Sequence, residues 1–172
     1  LDNVDRINEI LLDLLEHEFI SNKQYSYLSA QSHSRPRNFH ILPKIHKPIN
    51  KWPTPSMPEG RPIVADIQSE SRPTAEYIDS FLKPLSTKHP AYLKDTYDFV
   101  SKIRNVEIPK ESFIVTGDIT ALYTNMSTRR SLEVVHRAFS LNPDPRRPSA
   151  QLLELLHIQL TANDFSFNDF SY

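Results

Sequence analysis

The chain has 172 residues, 38% hydrophobic and 24% charged, with a net charge of -1 and no cysteine. That length supports one domain with a real core or two small lobes, and the composition is that of a lean globular protein. Disulfides and thiolate metal sites are excluded, and two glycines exclude a phosphate-binding P-loop or a dinucleotide fingerprint.

Residues 3–20 carry Val4, Ile7, Leu11, Leu14, Leu15 and Phe19 on one helical face, with Asp2 or Asn3 as cap. Acids run through this N-terminus, so it is no signal peptide, and no other segment approaches a membrane span. With cysteine absent, an intracellular protein is expected. The chain starts without Met and stops after "NDFSFNDFSY", and we read it as a piece of a longer protein.

Residues 21–37 are polar, and the serine-rich "AQSHSRPR" reads as loop. "NFHILPKIHKP" alternates Phe39 and Ile41 against Asn38 and His40, which predicts a strand ending at Pro43 or soon after. "INKWPTPSMPEG" is a proline-rich excursion and "RPIVADI" a second strand, so the two strands are expected to pair as a long hairpin. A helix with Tyr77, Ile78, Phe81, Leu82 and Leu85 follows, expected to end near Pro84, and then a short helix in "KDTYDFVSKIRN" capped by Asp95 or Thr96.

Residues 112–118 read as a buried strand with Asp118 at its end. Ser127 or Thr128 caps a helix carrying Leu132, Val135 and Phe139, which "NPDPRRP" breaks. Pro148 and Ser149 start another, with Leu152, Leu155, Leu156 and Ile158. Phe165, Phe167, Phe170 and Tyr172 alternate around Asn168-Asp169, a two-residue hairpin turn.

A net charge of -1 gives no case for a nucleic-acid partner, so such a case rests on local patches. Between His33 and Arg61 the cations Arg35, Arg37, Lys44, Lys47, Lys51 and Arg61 face one acid, Glu59, with Phe39 and Trp52 interleaved. Clustered cations with aromatics suit phosphate backbones and stacked bases, and equally a solvated loop that uses Lys and Arg for solubility. The expected hairpin would set Lys44 and Arg61 on neighbouring strands, where two cations repel unless an anion sits between them.

Asp118 has two readings from local sequence. A strand-end carboxylate is placed to hold a divalent metal against a phosphate, and it is equally placed to cap the next turn. One carboxylate does not make a two-metal site. The seven histidines show no metal-ligand spacing, and no nucleophile elbow is present.

"FHILPKIHKP", "GRPIVADIQSESRPTAEYIDSFLKPL", "YLKDTYDFVSKI" and "VTGDITALYTNM" resemble, in this order, the Penelope-like reverse transcriptases. The resemblance covers residues 25–172 and is most specific in "LPKIHK" combined with "DITALYTN". It implies an α/β (α+β) fold: a right-hand polymerase with an N-terminal helical segment (1–30), fingers (31–111) and the first part of the palm (112–172). It implies RNA-directed DNA synthesis from an RNA template, a DNA primer and dNTPs, with two Mg²⁺ ions and a site of action in the nucleus.

By the same resemblance Asp118 is a catalytic metal ligand, and the main-chain carbonyl of Ile119 also faces a metal. Tyr123, five positions after Asp118, matches the gate that excludes a ribose 2′-hydroxyl. Lys44 and Arg61, with Lys47 beside them, would grip the incoming triphosphate, and Arg35, Arg37 and Lys51 would follow the nucleic-acid backbone. The family's glycine-containing template grip and its Asp-Asp pair are not in this sequence, so the chain alone is expected to be inactive. Two other readings stand beside this one. One is a non-catalytic nucleic-acid-binding remnant or domesticated retroelement protein. The other is a phosphate-handling hydrolase, whose second acid would fall where Thr120 stands.

Overall fold

A computed structural model describes residues 3–30, 37–67, 69–162, 164–168 and 170–172. The first helix, α1 (Asn3–Glu16), forms because Ile7, Leu11 and Leu14 fall on one stripe, and all three are buried. Helix expected to residue 20 stops earlier than that. Glu18 adopts a left-handed backbone at φ 59°, so the Phe19 N–H donates to the Leu14 carbonyl at 2.9 Å and the Glu18 N–H to Leu15 at 3.1 Å. This closure ends the helix and turns Phe19 and Ile20 onto the core.

α2 (Asn22–Leu28) follows, in a polar stretch for which no helix was expected. Ser21 and Gln24 form a reciprocal capping box, with Gln24 N–H donating to Ser21 Oγ at 3.3 Å and Ser21 N–H to Gln24 Oε1 at 2.9 Å. Leu28 anchors the helix, and Asn8 exchanges hydrogen bonds of 2.9 and 3.1 Å with the Ala30 backbone, tying its exit to α1. Of the loop expected over residues 30–37, residues 31–36 lie outside the described residues.

β1 (Asn38–Pro43) and β2 (Gly60–Ala65) pair antiparallel as the expected hairpin, Asn38 facing Ala65 and Pro43 facing Gly60. Glycine is needed at position 60 because the Ile41 side chain fills the space that a Cβ would take. Within the excursion a single 3₁₀ turn, Ile49–Lys51, is pinned by the Trp52 Nε1–H donating to the Lys47 carbonyl at 2.8 Å.

Five helices follow: α3 (Arg72–Ser86), α4 (Thr96–Ile103), α5 (Leu122–Asn125), α6 (Thr128–Leu141) and α7 (Ser149–Thr161). Asp95 caps α4 by accepting from the Asp98 N–H at 2.9 Å, and Ser127 caps α6 by accepting from Arg130 N–H at 3.4 Å. The helix expected to stop near Pro84 carries on to Ser86. A proline so close to the C-terminus removes one N–H from the last turns, and the Thr87 N–H still closes on the Lys83 carbonyl at 3.3 Å.

β3 (Ser166–Phe167) and β4 (Phe170–Ser171) form the expected aromatic hairpin, with Asn168 in the left-handed region at φ 48°. β3 joins β1 in parallel through Asn38 and Ser166, giving the sheet order β2-β1-β3-β4 among the described residues. Phe39 meets the rings of Phe165 and Phe167 at 5.6 and 5.3 Å, which fixes this short junction.

Residues 112–118 are the largest departure from expectation. They belong to no strand, and Phe113 and Val115 are 93% and 88% exposed rather than buried. An apolar run becomes a strand only when a neighbour completes its hydrogen-bond ladder, and no described strand lies beside it.

The core is one apolar cluster: Ile7, Leu11 and Leu14 of α1, Leu28 of α2, Ile78 of α3, Phe139 of α6, and Leu152, Leu155 and Ile158 of α7. Each fully buried leucine or isoleucine contributes about 1.5–3 kcal/mol. The cluster draws on all three sequence segments expected above, with α7 packing on α1, α3 and α6. Gln159 Nε2 of α7 donates to the Ser71 carbonyl at 2.5 Å and to Thr74 Oγ1 at 3.0 Å, satisfying polar groups at the start of α3.

Beside this core, the Tyr77 hydroxyl is shielded from water without a hydrogen-bond partner among the described residues, and its burial raises the phenol pKa. Its ring meets Phe81 edge-on at 5.2 Å, a contact that phenylalanine would keep. Tyr77→Phe is therefore expected to stabilise the chain by about 1 kcal/mol, read as a higher urea midpoint at unchanged m-value.

Candidate functional site

The hairpin sets its cations around one carboxylate. Glu59, just before β2, faces Lys44, just after β1: Glu59 Oε1 lies 3.0 Å from Lys44 Nζ, and Glu59 Oε2 lies 3.4 Å from Lys47 Nζ. The Lys44 N–H also donates to the Glu59 carbonyl at 2.9 Å, continuing the ladder one step past the strands. Of the pair Lys44 and Arg61, between which an anion was expected, Lys44 is met by the chain's own Glu59, which also holds Lys47.

The Lys44 hydrogen bond, then the Lys44 charge, then the Lys47 contacts hold the Glu59 carboxyl below its usual range. A carboxyl with a lowered folded-state pKa stabilises above its ordinary range, and the clamp is lost as pH falls through the lowered value. Arg61 on β2, opposite Leu42, and Lys51 in the 3₁₀ turn are exposed, with no ion pair among the described residues. These two cations stand free for an external anion.

Arg37 does not stand with them. It is 5% exposed, and its guanidinium donates from Nε to Asp66 Oδ1 at 2.6 Å and from Nη1 to Asp164 Oδ1 at 2.7 Å. From Nη2 it donates to Ser71 Oγ at 2.7 Å and Glu70 Oε1 at 3.4 Å. Burial works against its charge, and the Asp66 hydrogen bond with the Glu70, Asp66 and Asp164 charges outweighs it, so the pKa is raised. Its donors are engaged inside the fold, not offered to a phosphate backbone. Arg35 lies outside the described residues.

Asp118 follows the exposed 112–117 segment and is itself exposed, its Oδ1 accepting the Ile119 N–H at 2.9 Å. Ile119 is exposed as well. Ala121 then takes a left-handed backbone at φ 49° and ψ 50°, a turn that costs a non-glycine residue about 1–2 kcal/mol and starts α5. The Asn125 side chain holds this turn by donating to the Thr120 carbonyl at 2.8 Å.

Tyr123, on α5, is 87% exposed at the edge of a cavity of about 600 Å³. Thr124 lines the cavity beside it, with Val64 and Asp66 from the end of β2, Gln159 of α7 and Phe165. Tyr123 and Thr124 of α5 and the foot of the hairpin therefore share one cavity, whose lining includes neither Asp118 nor Lys44, Lys47 or Arg61. Asp66, Glu70 and Asp164 were not singled out from sequence; the first two follow β2 in "ADIQSE", but nothing local marks them as partners of a buried arginine.

Asp118 offers one carboxylate, and among the described residues no three His, Asp or Glu side chains are arranged to hold a metal ion. The residues present do not by themselves fit a two-metal site.

The chain is a mixed α/β protein, with seven α-helices and a four-stranded mixed sheet among its described residues. None of its described helices is long and apolar enough to cross a membrane. No family model, curated protein or solved structure matches it.

Proposed function

We propose that the chain forms the fingers and first part of the palm of a Penelope-like, RNA-directed DNA polymerase, acting in the nucleus on an RNA template, a DNA primer and deoxynucleotides. The motif order supports this, and one structural observation carries it: Tyr123 and Thr124 share a cavity with the foot of the basic hairpin. Arg61, with Lys44 and Lys47, takes the triphosphate, Tyr123 excludes a ribose 2′-hydroxyl, and Lys51 and Arg35 follow the nucleic-acid backbone. Magnesium would belong to the complete polymerase, with Asp118 as one of its ligands.

Primer extension by the full-length gene product on an RNA template tests the reading. In that protein Tyr123→Val is expected to raise ribonucleotide incorporation about tenfold or more, with little change in dNTP use. Unchanged selectivity would remove the gate from Tyr123.

One observation favours a second reading, a non-catalytic nucleic-acid binder: Asp118 engages its own backbone. Both readings share a prediction at Glu59. Glu59→Gln releases Lys44 and Lys47, so the affinity of this chain for single-stranded RNA is expected to rise several-fold, with a slope against log[salt] steeper by about one. Fluorescence anisotropy at several salt concentrations measures both. Weaker binding by the variant would mean that the hairpin needs Glu59 for its shape.

A further inference from the structure

α7 carries apolar side chains over most of its circumference, interrupted by a polar stripe of Gln151, Glu154 and His157. Leu152, Leu155 and Ile158 are buried in the core, while Leu153 and Leu156 on its other faces are only partly covered. Here α1 and α6 both pack on α7 without packing broadly on each other. A groove of about 830 Å³ opens between them, with Ile10, Leu132 and Leu153 as its apolar floor.

The rim has a sign. Glu9, Glu133 and Glu154 stand on it against one guanidinium, Arg6, with the exposed His136 and His157 alongside. Arg129 Nε lies 3.7 Å from Glu133 Oε1, but both groups are exposed, and such a pair contributes little against an incoming cation. An acidic rim repels phosphate, which excludes nucleic acid as the occupant, and the groove is built from helices that carry none of the hairpin cations.

We propose that this groove docks a cationic amphipathic helix of a partner protein. Its apolar residues cover the α7 floor between α1 and α6, and its Lys and Arg side chains meet Glu9, Glu133 and Glu154. Two helices held apart on a third leave a trough that a fourth helix completes, and the carboxylates select a basic one and fix its register. The proposal is independent of the polymerase reading, since no hairpin or Asp118 group takes part.

The test is fluorescence anisotropy with three labelled probes: a leucine–lysine amphipathic helix, its leucine–glutamate counterpart, and a leucine–lysine peptide scrambled so that its apolar residues share no face. The leucine–lysine helix is expected to bind at least about tenfold tighter than either control. The triple variant Glu9→Gln, Glu133→Gln, Glu154→Gln is expected to lose about tenfold of that affinity, with an unchanged circular-dichroism melt because all three side chains are exposed. Binding of the scrambled peptide as tightly as the helix, or an affinity untouched by the triple variant, overturns the proposal. Self-association in sedimentation velocity that the same variant abolishes would assign the groove to a second copy instead, and overturns it too.

Discussion

Arg37→Ala is expected to lower the stability of the chain by about 3 kcal/mol, enough to unfold a marginal domain at physiological temperature. One guanidinium closes four pieces of chain on each other: its own position before β1, Asp66 after β2, Glu70 and Ser71 at the start of α3, and Asp164 between α7 and β3. Its removal leaves three carboxylates facing each other without a counter-charge. Glu70 bears most of the cost, since its side chain is 14% exposed. Asp66 and Asp164, at 41% and 61%, are screened by water and add less.

Arg37→Lys separates charge from geometry. It restores a cation but not a planar fork that reaches four acceptors, and an intermediate loss is expected. Urea denaturation of the three proteins measures the series. A loss below about 1 kcal/mol for the alanine variant would place the network in the class of surface ion pairs.

Burial of this kind is hard to read from a sequence. Arg37 counted as one of six cations in a basic run, because its neighbours in sequence are all that a reading along the chain sees. Its partners lie far along the chain, Asp66, Glu70 and Ser71 some thirty residues on and Asp164 127 residues away. Glu59 was closer to legible, since the hairpin pattern that set Phe39 against Asn38 also brings Glu59 beside Lys44.

Helices were legible where apolar spacing and a capping side chain agreed, as with Ser127 before α6 and Asp95 before α4. α2 was not, because it buries only Leu28 and is otherwise polar; its one local signal is the Ser21–Gln24 capping box. The terminal hairpin was legible from its turn, where Asn168 takes the left-handed backbone that the residue tolerates.

The 112–118 segment failed for a different reason. Hydrophobicity reports what a strand needs, which is cover, while pairing depends on a neighbour that no local pattern supplies. Phe113, Ile114 and Val115 are apolar, yet exposed and in no strand.

That placement makes Asp118→Asn informative. The side chain is exposed, and an asparagine oxygen still accepts the Ile119 N–H, so the turn into α5 is kept and the melt is expected to move by no more than about 0.5 kcal/mol. What is lost is the negative charge. On the polymerase reading that charge is indispensable, and primer extension by the full-length product is expected to fall about a thousandfold or more, roughly 4 kcal/mol of transition-state stabilisation. RNA binding, which the same reading assigns to Lys51 and Arg35, is expected to change little. A drop in stability with no specific loss of synthesis would make Asp118 a capping residue, because only a structural role couples the carboxylate to the fold and not to the reaction. A full-length protein that binds RNA and extends no primer, with or without the substitution, would make the chain a binding protein whose chemistry rests on the hairpin alone.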